Sequence, residues 1–143
     1  MEPRIFSLDR YAEYLSAFSS HGVEYKGVFY PTVEHAYHCQ RYTDSKTQEE
    51  IRTAHSAKLA WKTSQKYKSQ QLSDFDARKV QVMEDICRAK LEQHDDVRAA
   101  LAASGQDVIV KDYPDPFWGI GLNGEGRNEM GKAWMRLREE LKA

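Results

Sequence analysis

Val23-Glu24-Tyr25-Lys26-Gly27-Val28-Phe29-Tyr30-Pro31-Thr32-Val33-Glu34-His35 is the stretch that separates the fold classes. Apolar and polar residues alternate on either side of Lys26-Gly27, which predicts a β-hairpin closed by a tight turn. Thr32 is a good helix N-cap. The helix it opens is expected to run to about Tyr42, with Val33, Ala36, Tyr37 and Gln40 near one face. A hairpin that feeds directly into a helix indicates an α+β chain.

Outward from this stretch the helical signals dominate. Toward the N-terminus, residues 4–18 read equally as a short strand or a helix. Toward the C-terminus, one helix is expected over 46–54 and another, capped by Ser56, over 58–66. Ser73 or Asp74 caps a long helix with Phe75, Val80, Met83, Ile86, Cys87 and Leu91 close to helical spacing. Asp95 starts a helix that stops at Gly105, a natural residue just past a helix end. A strand is expected over 107–111. The last helix covers 128–141 and is expected to bury Met130, Trp134, Leu137 and Leu141. The reading is a single mainly helical α+β domain, 1–143, with a short β-sheet.

Composition narrows the function classes. The chain has 143 residues, 41% apolar and 30% charged, with three Trp, eight Tyr and five Phe. That length suits one core, and two independent cores would be cramped. No stretch approaches the roughly 20 apolar residues that span a bilayer, so no membrane partner is expected. The formal net charge of −1 argues against bulk attraction to nucleic acid. Two cysteines make neither a disulfide framework nor a zinc cluster, and no secretory signal is visible, so a reduced cytoplasmic setting is expected.

Glu34 falls in the first turn of its helix, where free N–H groups and the positive end of the dipole lie. A carboxylate there is usable for chemistry, although helix stabilisation alone is the commoner role. His35 and His38 share a face, but the zinc-helix pattern places its histidines four apart with Glu between them. No metal is expected at this pair, which reads as one buried and one exposed histidine. Residues 51–73 contain no acid, and Lys58, Lys62 and Lys66 recur every four residues along one helix face. That stripe is either a phosphate-binding surface or a solvated face, with Trp61 on another face and expected in the core.

Asp115-Pro116-Phe117-Trp118-Gly119-Ile120-Gly121-Leu122-Asn123-Gly124-Glu125-Gly126-Arg127-Asn128 is less ordinary. Five of the eight glycines lie between Gly119 and Gly131. Glycines let a backbone approach a ligand and adopt positive φ, and the loop ends at a helix start, a natural anion site. Asp115 offers an acid and Trp118 a stacking face. The spacing matches neither a Walker A loop nor a Rossmann fingerprint.

Tyr30-Pro-Thr-Val-Glu34-His35-Ala-Tyr37-His-Cys-Gln40-Arg-Tyr42 resembles the P-T-x-E-H-x-(Y/F)-x-x-Q-(K/R)-(F/Y) signature of the NADAR (NAD- and ADP-ribose-associated) family, which includes the YbiA-like proteins. Asp115-x-x-Trp118-Gly119-x-Gly121-x-x-Gly124-x-Gly126-x-Asn128-x-x-Gly131 resembles its second signature. Trp134-Met135, Arg138, Val82-Met83 and Arg88-Ala89-Lys90 extend the likeness over nearly the whole chain.

The resemblance implies a small α+β N-glycosidase that needs no cofactor. It would cleave a ribose C1′–N bond in ADP-ribosylated guanine, as nucleotide or DNA, or in a ribosylamino-pyrimidine phosphate of riboflavin biosynthesis. The partners implied are a small nucleotide or ADP-ribosyl substrate and ADP-ribosylated nucleic acid. The alternative is a non-catalytic ADP-ribose-binding module. The resemblance gives Glu34 and Asp115 catalytic roles. It gives substrate-binding roles to Phe18, His35, Trp118, Gly119, Gly121, Gly126 and Asn128, while Lys62 and Lys66 of the lysine stripe are expected to add charge for phosphate. The chain departs from the family in reading Ser16-Ala17-Phe18 where Ser-Asn-Phe is common, and Phe75 where Trp is common.

Overall fold

The structure is a computed structural model and describes residues 5–7 and 12–142. These residues group into two units, one of residues 17–93 and the other of the segments before 17 and from 94 onward.

In the 17–93 unit, strands β2 (Val23–Tyr25) and β3 (Val28–Tyr30) pair antiparallel, with Val23 opposite Tyr30 and Tyr25 opposite Val28. Lys26 and Gly27 both take positive φ, 52° and 81°, as a two-residue primed turn requires. Helix α2 (Val33–Cys39) follows after Thr32, whose side chain accepts from the His35 amide. It packs against α3 (Ser45–Arg52), α4 (Ala57–Lys66), α5 (Phe75–Gln93) and the hairpin. Six of its seven residues are buried, so the element carrying Glu34 is held on several sides. The core around it is Val33, Ala36, Tyr37, Ile51, Ala60, Phe75 and Ile86.

Two expectations need correction here. Helix α2 stops at Cys39 rather than near Tyr42, and the chain then turns tightly. The Tyr42 hydroxyl donates to the Ser64 carbonyl at 2.6 Å, and the Leu72 amide to the Arg41 carbonyl at 2.8 Å; both pull the backbone off the helix axis. Trp61 is 43% exposed, because α4 turns its small residues Ala57, Ala60 and Ser64 inward, and small side chains let it lie close to its neighbours.

In the other unit, β1 (Ile5–Ser7) pairs parallel with β4 (Val108–Val110). Helices α1 (Ala12–Leu15), α6 (Asp95–Ala103) and α7 (Glu129–Leu141) complete it. The ambiguous N-terminal segment thus contains both a strand and a helical turn; residues 4 and 8–11 lie outside the described residues. Trp134 is fully buried and its indole N–H donates to the Leu15 carbonyl at 3.1 Å. Gly105 has φ 57°, the left-handed residue that ends α6. Leu141, expected in the core, is exposed in the last turn of α7.

Candidate functional site

Glu34 is the second residue of α2, and its backbone N–H donates to the Ala17 carbonyl at 3.0 Å. Its side chain lies only 12% exposed against that of His38, 5% exposed, with Oε1 2.5 Å from His38 Nε2. His38 Nδ1 accepts from Arg41 Nε at 3.1 Å. Arg41 Nη1 donates to Gln71 Oε1 at 2.5 Å, and the guanidinium lies over the Tyr37 and Phe75 rings, 5.1 and 4.8 Å from their centroids. Both histidines are buried, against the expectation that one would be exposed.

His35 is a core residue. Its Nε2 is 2.9 Å from the Ala54 carbonyl and its Nδ1 2.8 Å from the Thr32 hydroxyl. A carbonyl only accepts, so Nε2 carries a proton. Burial holds the imidazole below its ordinary pKa. Both ring nitrogens of His35 thus have internal partners, and the ring joins the α2 cap to the chain just past α3.

The 115–128 loop was expected to offer free amides to an anion. Its polar groups instead satisfy one another. Asp115 Oδ1 accepts from the amides of Phe117 and Trp118 at 2.7 and 3.1 Å. Gly119 donates to Asp115, Ile120 to Lys111, Gly121 to Tyr113, Gly126 to Ile120 and Arg127 to Pro116. At the start of α7, Asn128, Glu129 and Met130 donate to the carbonyls of Gly119, Phe117 and Trp118. The N–H groups that make a helix start an anion site are therefore occupied at these three positions. Asn128 sits at φ 52° and ties the loop to β4: its Oδ1 accepts from the Lys111 amide and its Nδ2 donates to the Ile109 carbonyl, both at 2.9 Å. The glycines serve close approach to the chain itself. A Cβ on Gly126 would lie 2.6 Å from the Gly119 oxygen, and one on Gly119 2.9 Å from the Lys111 oxygen. Trp118 is half-buried, with the Phe117 ring edge-on at 4.9 Å.

The NADAR domain model matches residues 4–142. The chain belongs to the NADAR family. N-glycosidase YbiA of Shigella boydii is 35% identical over 134 residues, covering 93% of this chain and 83% of that protein. A riboflavin biosynthesis protein of Vibrio vulnificus is 35% identical over 130 residues, which cover 90% of this chain but 35% of that longer protein. The NMR structure of Escherichia coli YbiA superposes with a TM-score of 0.87 at 32% identity, covering 99% of this chain and 87% of that one. The mainly helical domain with a short sheet is thus the NADAR fold, and the chain is an enzyme of the YbiA-like N-glycosidase kind. Among the described residues no helix is long and apolar enough to cross a membrane.

Both departures from the NADAR pattern fall around Glu34. Ala17 supplies the carbonyl that receives the Glu34 amide, and Phe75 carries the Arg41 guanidinium and meets Tyr37 edge-on at 5.4 Å. Phe18, next to Ala17, is half-exposed. The lysine stripe behaves differently. Lys66 Nζ bonds Glu50 Oε1 at 2.7 Å, with Tyr67 on the other carboxylate oxygen, while Lys62 is exposed. Sequence reasoning missed His38 and Arg41 as a set. The available signal was the Glu34–His38 spacing of four, which places those two on one face of α2; Arg41 lies beyond the helix end.

Proposed function

We propose that this NADAR protein hydrolyses the C1′–N bond of a phosphate-bearing ribosyl group, with Glu34 as the catalytic carboxylate. One observation carries the reading. Glu34 holds one oxygen on His38, and its other oxygen has no protein partner among the described residues, on a side chain that still reaches solvent. Cleavage of a glycosidic bond passes through an oxocarbenium-like state. A carboxylate beside C1′ stabilises that charge and takes the proton of the attacking water. Water oxygen bonds to C1′, the C1′–N electron pair leaves with the nitrogen, and the nitrogen regains a proton, so one water is consumed.

Two substrates share this bond: a ribosylamino-pyrimidine phosphate, favoured by the riboflavin biosynthesis relatives, and ADP-ribosylated guanine, as nucleotide or in DNA. Within its own unit, Trp118 is proposed as a stacking face for an aromatic base, and Asp115 as the residue that shapes the turn beneath it. Lys62, exposed on α4, is proposed to meet phosphate.

Product analysis tests the proposal. The protein is incubated with each substrate, and ribose 5-phosphate or ADP-ribose is measured. Release of either is expected, and Glu34→Gln should lower the rate about 10²–10⁴-fold while leaving the melting temperature and ligand affinity near wild type. Ligand binding without release would instead identify an ADP-ribose-binding module, and a fully active Glu34→Gln would remove Glu34 from the chemistry.

A further inference from the structure

Glu34 ends a chain of four polar side chains, Glu34, His38, Arg41 and Gln71, and the donors in that chain fix its protonation. Arg41 Nε always carries a hydrogen and offers no lone pair. Its 3.1 Å contact therefore requires a lone pair on His38 Nδ1. The ring proton then sits on Nε2 and points at Glu34 Oε1, 2.5 Å away. His38 is neutral in this arrangement, and Glu34 accepts from it. Arg41 cannot swing aside easily, because Gln71 holds one of its nitrogens and two aromatic rings flank its plane.

We propose that His38, oriented by Arg41, is a positioning residue that fixes the Glu34 carboxylate for attack at C1′. The proposal rests on the reading of Glu34 given above. An ordinary Glu–His pair four apart on a helix is a solvated surface contact of small effect. This pair is almost wholly buried, and its second ring nitrogen is engaged. A guanidinium bonded straight to a carboxylate closes a fork over both oxygens. An imidazole between them takes only one, which immobilises the carboxylate and leaves Oε2 for water or ribose.

The test combines a spectroscopic signature with a substitution series, in the whole protein. Nitrogen-15 shifts of the His38 ring at pH 7 should report the proton on Nε2 alone. His38→Leu removes both hydrogen bonds. His38→Gln keeps a donor for Glu34 and an acceptor for Arg41. With folding checked by thermal melting, His38→Leu should lower kcat about 10–100-fold, as loss of an orienting partner does elsewhere, with KM within about twofold. His38→Gln should recover most of that loss. A proton on Nδ1, a wild-type kcat in His38→Leu, or a His38→Gln as slow as His38→Leu would each overturn the proposal. Glu34→Gln in the same series separates the two claims. If it is inactive while His38→Leu is normal, only the positioning role falls; if it is fully active, the carboxylate reading falls first. No turnover of either substrate would overturn both.

Discussion

The start of α2 and the 115–128 loop were both expected to face a ligand, and the structure builds them in opposite ways. In α2 the backbone is satisfied by helix, cap and the Ala17 carbonyl, while side chains orient one carboxylate with an oxygen to spare. In the loop the side chains of Asp115 and Asn128 serve the backbone, and backbone amides answer backbone carbonyls. Motifs of similar specificity in a sequence can thus be built differently: a carboxylate held through one oxygen in one place, a loop bonded to itself in the other.

The sharpest challenge to this contrast is Gly126→Val. The new Cβ would press on the Gly119 oxygen and the Ile120 carbonyl carbon, both backbone atoms at 2.6 Å. We expect a loss of roughly 3 kcal/mol by chemical denaturation, the upper range of overpacking costs. A stable Gly126→Val protein that merely fails to bind ligand would show that the glycine faces substrate instead.

Asp115 gives the next largest effect. Removing a carboxylate that accepts two amides, as in Asp115→Ala, should cost about 1–2 kcal/mol, in line with lost capping. Asp115→Asn retains an oxygen for the same amides and should keep both stability and turnover. A stable but inactive Asp115→Asn would return Asp115 to the chemistry and erase the contrast.

A smaller effect follows from His35. Its folded-state pKa lies below the unfolded value, so the unfolded chain binds the proton more readily. Its contribution to stability is therefore complete above about pH 6.5 and is lost as pH falls through the folded pKa. Melting temperature measured from pH 7.5 to 5 should decline, and His35→Gln should flatten that slope.

The smallest effect is expected on the lysine stripe. Lys66 is already paired with Glu50 at the surface, so Lys66→Ala should change ADP-ribose or ribose-phosphate affinity by less than about twofold in isothermal titration. A large loss would move the phosphate site onto α4.

What the sequence disclosed was whatever a few neighbouring residues decide together. Lys26-Gly27 specifies its turn, Thr32 and Ser56 specify their caps, and Gly105 its helix end, because each acts within four residues of itself. Trp61 and Leu141 were misread because periodicity gives the phase of a helix but not which faces find cover. The internal bonding of the 115–128 loop was not legible for a related reason. Glycine allows close approach, but only the tertiary arrangement shows that the approaching group is the Lys111 or Gly119 carbonyl. Spacing places His38 beside Glu34, but the partner of its second ring nitrogen is Arg41, which lies past the helix end and outside the helical pattern.

Leu122 stands 92% exposed between Gly121 and Gly124, at the crest of a loop whose base is closed on itself. The four-residue turn there is closed by one long bond of 3.4 Å, and an added Cβ on Gly124 would meet nothing. This crest is consequently a natural splice point. New termini made by circular permutation, or a short flexible peptide inserted after Leu122, would leave the Asp115 turn and the Asn128 bridge to β4 in place. A reporter grafted at that point would ride on a rigid stem rather than on a loose end.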